Sequence, residues 1–163
     1  MWHALSSVLQ HDFAAPEPLD IARVLVRLVL AMALAAAIGV ERELRGTTAG
    51  LRTHMLLALG VATIVTGAME AGMSSDTVGR VLQGVLAGVG FIGGGAILKE
   101  DRKQVVKGLT TAASLWATAG IAAAAALGSG VVAVAATILA LVILYVLWQV
   151  ERRFGFGRHN EER

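Results

Sequence analysis

The sequence predicts an all-α polytopic membrane protein with five transmembrane helices, its N-terminus outside and its C-terminus in the cytoplasm. Three observations predict it. Of 163 residues, 56% are apolar and 16% charged, where a soluble domain carries about a quarter of its residues charged. Five uninterrupted apolar runs, each bounded by charges or turn formers, span about 25–29 Å at a helical rise of about 1.5 Å per residue, the depth of a bilayer core. The Lys and Arg residues gather on alternate connections. Lipid offers no partner to an open backbone, so each run must be helical. The absence of two-residue alternation excludes a β-barrel.

Residues 1–20, with Pro16 and Pro18, read as a short extracytoplasmic tail or a partly interfacial helix. The transmembrane domain covers 21–150. Its first span runs about 24–40 and stops at Glu41-Arg42-Glu43; the second, 53–69, lies between Arg52 and Glu70. The third, 82–98, follows Arg80 and ends at Lys99-Glu100-Asp101, the fourth is 109–127, and the fifth, 131–148, ends before Glu151-Arg152-Arg153. Residues 151–163 form a basic cytoplasmic tail. A secretory signal carries positive charge ahead of its apolar run; here Asp12, Glu17 and Asp20 stand there, so the first span is retained.

Orientation follows from charge. Arg42, Arg45 and Arg52, then Lys99, Arg102, Lys103 and Lys107, then Arg152, Arg153, Arg158 and Arg163 share one side. Arg23 and Arg80 stand on the other, with Arg27 inside the first span, placed to snorkel outward, the favoured reading, or to pair with Glu70 at the outer boundary. The heavily basic side is cytoplasmic.

Within the spans, the third reads LQGVLAGVGFIGGGAIL, with six glycines. Glycine costs about 1 kcal/mol against alanine in a helix, so this density needs a cause. Gly84, Gly88 and Gly95 share a face around Phe91, and Gly90 and Gly94 share another beside Gln83. One reading is a tightly packed central helix, because small residues let helix backbones touch. The other is a broken helix that offers carbonyls to an ion. In the fourth span Thr110, Ser114 and Thr118 recur every four residues, next to Thr111. They either bond back to their own helix and allow close packing, or form a polar stripe facing Gln83 and the glycine helix. The alanine run 122–126 marks this span as tightly packed. At the edge of the first two spans, Glu41, Arg42, Arg52 and His54 either anchor the interface or pair, Glu41 with Arg52, to line a vestibule.

Several chemistries drop out. Without Cys there are no thiolate nucleophiles or Cys-ligated metals. Gly88-x-Gly90-x-x-Gly93 matches the dinucleotide fingerprint but lies within a span, not a strand–turn–helix unit. The four His show no helical pairing for a metal, no carboxylate pair or His–Asp pair sits in a span, and a net charge of +2 does not point to nucleic acid. The chain is thus expected to be no enzyme and to need no cofactor or resident metal.

Gly39-Val40-Glu41-Arg42-Glu43, Ala49-Gly50-Leu51-Arg52-Thr53-His54, Arg80-x-x-Gln83 with Gly90-Phe91-Ile92-Gly93-Gly94-Gly95, and Gly108-Leu109-Thr110-Thr111-Ala112-Ala113-Ser114-Leu115-Trp116 follow one another in order. Across roughly residues 22–148 they make the chain resemble the MgtC/SapB family of bacterial inner-membrane proteins. The family pattern has alanine where this chain has Gly94. MgtC-type members carry a cytoplasmic ACT-like domain after the fifth span; this chain, with residues 149–163 there, looks like a membrane-domain-only, SapB-type member. The resemblance implies adaptation to low magnesium and, in pathogens, intracellular survival and virulence, with F-type ATP synthase or a cation transporter as the kind of partner regulated. Two functions are therefore carried forward. The first is a non-enzymatic regulator that binds a membrane-protein partner, or a second copy of itself, through its small-residue faces. The alternative is a small transporter or channel for Mg²⁺, another cation or protons.

Overall fold

The computed structural model describes Trp2, residues 17–100 and residues 105–154. Five helices are long and apolar enough to cross a membrane. Helix α1 is Pro18–Leu44, α2 Leu51–Glu70, α3 Ser75–Gly95, α4 Leu109–Ala126 and α5 Gly130–Phe154. Strands β1 (Leu98–Glu100) and β2 (Val105–Lys107) pair antiparallel between α3 and α4, with Leu98 opposite Lys107. The chain is a multi-pass membrane protein. Most of the expected N-terminal tail, the end of the basic C-terminal tail and Arg102 and Lys103 lie outside the described residues.

The helices outrun the apolar runs because their ends are built from polar groups. Pro18 opens α1, where a missing N–H costs nothing, and Asp20 sits in its first turn, 2.7 Å from Arg23. Ser74 caps α3 by accepting the Thr77 N–H at 3.4 Å, so that helix starts well before its apolar stretch. It also stops earlier than expected, at Gly95, because residues 98–100 enter the hairpin. Gly108, at φ +92°, makes the turn from β2 into α4, and a Cβ there would strike the Ala96 carbonyl.

Helix α4 is the centre. Helices α3, α2, α1 and α5 follow one another around it, and it touches all four. Of its apolar stretch 56% is buried, against 17% for α3 and 11% for α5. The core is mostly alanine: Ala31 and Ala35 of α1, Ala58 and Ala62 of α2, and Ala119, Ala122, Ala125 and Ala126 of α4 are buried together with Ile38, Val61 and Val65. Alanine loses no rotamer freedom on burial and lets helix axes approach, which suits packing where lipid supplies little drive to associate. The closest approach joins α1 to α2, where a Cβ on Gly39 would lie 2.8 Å from the Leu51 Cα.

The tightly packed central helix is therefore α4 and not the glycine-rich third span. The α3 side facing the bundle carries Val78, Val89 and Gly93, with Gly93 against Ala112. A Cβ placed on Gly84, Gly88, Gly90, Gly94 or Gly95 meets nothing within 4 Å, and Phe91 is 86% exposed. Nor is α3 broken: it runs as one α-helix through the glycines to Gly95. Among the described residues, the packing expected of these five glycines has no partner helix in the same chain.

Candidate functional site: a charged chamber at one end of the bundle

Near its C-terminus α1 carries Glu41, the adjacent Arg42 and, one turn on, Arg45. The Glu41 carboxylate is held between two guanidiniums: one oxygen pairs with Arg42, and the other accepts from Arg45 Nε at 2.9 Å. Arg42 is only 5% exposed, so its charge depends on that carboxylate. Arg45 also lies flat over the Trp148 ring of α5, 3.5 Å from its centroid, a cation–π contact that ties the first helix to the last. The following turn is fixed by Thr47, whose hydroxyl donates to the carbonyl of Arg42 (2.9 Å) or Ala49 (3.1 Å). Glu43 caps α2 from a distance, accepting the Leu51 N–H at 2.7 Å.

These groups wall a cavity of about 520 Å³. Arg42, Arg45 and Thr47 form one side, Gly108, Thr110 and Thr111 at the start of α4 another, and Ile143, Leu144, Leu147 and Trp148 of α5 close it. Beside it lies a smaller apolar pocket of about 240 Å³ that shares Thr110, Ile143 and Leu144 and reaches Ser114.

One helical turn deeper, His54 is fully buried at the α2–α4 contact. Its Nδ1 lies 2.9 Å from the Gly50 carbonyl, which makes Nδ1 the protonated nitrogen and leaves Nε2 to accept from Ser114 Oγ at 3.3 Å. Ser114 Oγ also lies 2.9 Å from the Thr111 carbonyl, and Thr118 Oγ1 donates to the Ser114 carbonyl at 2.8 Å. Thr118 thus bonds to its own helix, as the packing alternative expects, while the single Ser114 proton serves either the Thr111 carbonyl of its own helix or His54 Nε2.

The structure gathers Glu41, Arg42, His54, Thr110, Thr111 and Ser114 at one end of the bundle. It does not bring the others there. Arg52 is exposed and makes no ion pair among the described residues, so the expected Glu41–Arg52 pair is replaced by Glu41 with Arg42 and Arg45. Gln83 is exposed on α3, so the hydroxyl stripe faces His54 and not Gln83. Arg80 lies near the opposite end, 3.5 Å from Thr77 Oγ1. Arg27, at that opposite end too, lies by the Gly128 turn, 4.0 Å from Met69 Sδ, and forms no ion pair with Glu70. Among the described residues no group of three His, Asp or Glu could hold a metal ion. Sequence reasoning missed Trp148 and the role of Arg45. The four-residue spacing from Glu41 to Arg45 was a readable signal, whereas the Trp148 contact depends on the tertiary fold.

The MgtC family profile matches residues 28–153. The chain belongs to the MgtC family. It is 40% identical over 131 residues to the protein named MgtC from Salmonella typhimurium, a match covering 80% of this chain and 55% of that protein. It is 39% identical over 140 residues to an Escherichia coli K12 protein named "Putative magnesium transporter YhiD", covering 81% and 64%. It is 39% identical over 148 residues to SrpB of Synechococcus elongatus, covering 84% and 81%. This MgtC-family chain thus matches about half the length of the Salmonella relative. No solved structure matches it.

Proposed function

We propose that this protein supports adaptation to low magnesium as a non-enzymatic regulator in the bacterial inner membrane, with the Glu41–Arg52 connection in the cytoplasm. It docks on a membrane partner through the open glycine face of α3. One observation carries this reading: Gly84, Gly88 and Gly95 line a helix face with nothing against it, around the exposed Phe91. Beside that face an apolar groove of about 770 Å³, lined by Gly60 and Ile64 of α2 and Val81 and Gly84 of α3, gives a partner helix room to seat. Small residues with a single aromatic knob suit helix-to-helix contact in lipid. The partner class is the one the family resemblance implies, an ATP synthase or a cation transporter.

The test is growth in low Mg²⁺ of a strain lacking its own family member, complemented with wild type or Gly84→Leu/Gly88→Leu. The double variant is expected to insert at wild-type levels, lose crosslinks to its partner and fail to complement. Full complementation would remove the docking face from the mechanism.

A second reading is a small transporter for Mg²⁺, another cation or protons. Two observations favour it: the name carried by the Escherichia coli relative and the polar chamber at one end of the bundle. Flux in proteoliposomes that disappears in Glu41→Gln supports transport; its absence with correctly inserted protein leaves the regulator.

A further inference from the structure

The chamber beneath Arg42 and Arg45 has the chemistry of an anion site. Its wall carries two guanidiniums, and the one carboxylate paired with them, Glu41, leaves one positive charge of the three in excess. Glu41 occupies Arg42 Nε and Nη2 and Arg45 Nε; Arg42 Nη1 and both terminal nitrogens of Arg45 make no hydrogen bond among the described residues. Opposite them α4 begins. Its cap residue Gly108 has no side chain to satisfy the first turn, and the first bond back to that residue comes from the Ala112 N–H, so the N–H groups of Thr110 and Thr111 have no acceptor in the helix. Exposed amides and the positive end of a helix dipole favour an anion.

A separate observation points to a ligand. Thr111 is only 5% exposed, it lines the chamber, and its hydroxyl makes no hydrogen bond among the described residues. In the same helix Ser114 has both the Thr111 carbonyl and His54 Nε2 within reach, and Thr118 donates to the Ser114 carbonyl. Elsewhere Thr137 does the same with Ala133. Thr66 of α2 is also buried without a partner but lies outside the chamber, whereas the Thr111 hydroxyl is left for something within it. A divalent cation does not suit walls that carry two arginines. A phosphate group does, because it accepts several donors at once and matches the guanidinium fork. At about 520 Å³ the cavity falls within the range of about 300–1,000 Å³ of small-ligand sites, and Ile143, Leu144 and Leu147 supply an apolar wall beside the donors.

We propose that this chamber binds the phosphate group of an anionic ligand, from a phospholipid headgroup or a soluble phosphate, between Arg42, Arg45 and the first turn of α4. The site is independent of the docking face on α3.

The full chain is reconstituted in nanodiscs of phosphatidylcholine, and thermal unfolding is followed in two arms. One replaces part of the lipid by phosphatidylglycerol; the other titrates inorganic phosphate into neutral discs. Stabilisation in the first arm alone assigns a lipid headgroup, and in the second alone a soluble phosphate. Stabilisation in both assigns a site open to either. Thr111→Val, which keeps the shape and removes the hydroxyl, should weaken binding about tenfold, the cost of one hydrogen bond to a charged group. Arg45→Gln should weaken it further, while Arg52→Gln, at the same end but outside the chamber, should bind as wild type. Absence of stabilisation in both arms overturns the proposal. So does equal weakening by Arg52→Gln and Thr111→Val, which would mark general surface attraction. Thr111→Val keeps the test decisive where Arg45→Gln fails to fold.

Discussion

Helices α3 and α4 are both rich in small residues, yet they do opposite things. Five of the nine alanines of α4 are buried, whereas the glycines of α3 mostly look outward from the bundle. Both compositions permit close backbone approach, but only α4 realises it inside this chain. Alanine is the smallest residue that still fills a gap with a methyl group. A glycine face without a neighbour gains nothing from its own chain and bears the conformational cost alone. Small residues in a membrane helix thus mark where another helix can come near, without saying whose helix it is.

This contrast can be broken most sharply at the centre. Ala122→Leu adds bulk at a fully buried position of α4 and should destabilise the fold by about 3 kcal/mol or more, read by thermal or denaturant unfolding in detergent. Near-wild-type stability would mean that α4 is not the hub. Gly39→Ala should cost about 1–3 kcal/mol, since the added methyl meets the Leu51 backbone, which cannot move away like a side chain. Ser114→Ala should cost about 1 kcal/mol, because it leaves the buried His54 Nε2 without a partner; Ser114→Thr, which keeps the hydroxyl, separates that loss from a packing defect. Gly88→Leu on α3 should change monomer stability by less than about 0.5 kcal/mol, since the new side chain points into open space. Marked destabilisation of the monomer by Gly88→Leu would erase the distinction between the two helices.

The five helices were legible because each is an apolar run of bilayer length between charges, a signal that needs no tertiary information. Which side of each helix faces inward was not. In a soluble helix hydropathy separates the two faces; in lipid Phe91 points outward as comfortably as Ala122 points inward. Composition alone therefore points the glycine motif of the third span to the centre, whereas it lies on the outside. The charged cluster was legible as a set, since Glu41, Arg42 and His54 stand at span edges. Its pairing was only partly legible, because the four-residue spacing favours Arg45 for Glu41 only if the helix continues past the apolar run, and a helix end there would leave Arg52 as a rival. A helical turn sets Arg45 beside it, while the second helix carries Arg52 away. The β-hairpin escaped notice because three-residue strands are too short to show alternation.

The stack of Arg45 on Trp148 has a consequence for biogenesis. During synthesis Glu41, Arg42 and Arg45 emerge early, whereas the ring that covers Arg45 belongs to the fifth helix, more than 80 residues later. Until α5 enters the bilayer, the ion cluster lacks its lid and its apolar wall. Completion of the chamber therefore reports insertion of α5. A product lacking α5 would display the Arg45 guanidinium uncovered at the membrane edge, a mark by which a membrane protease could tell a molecule without α5 from one that has inserted it.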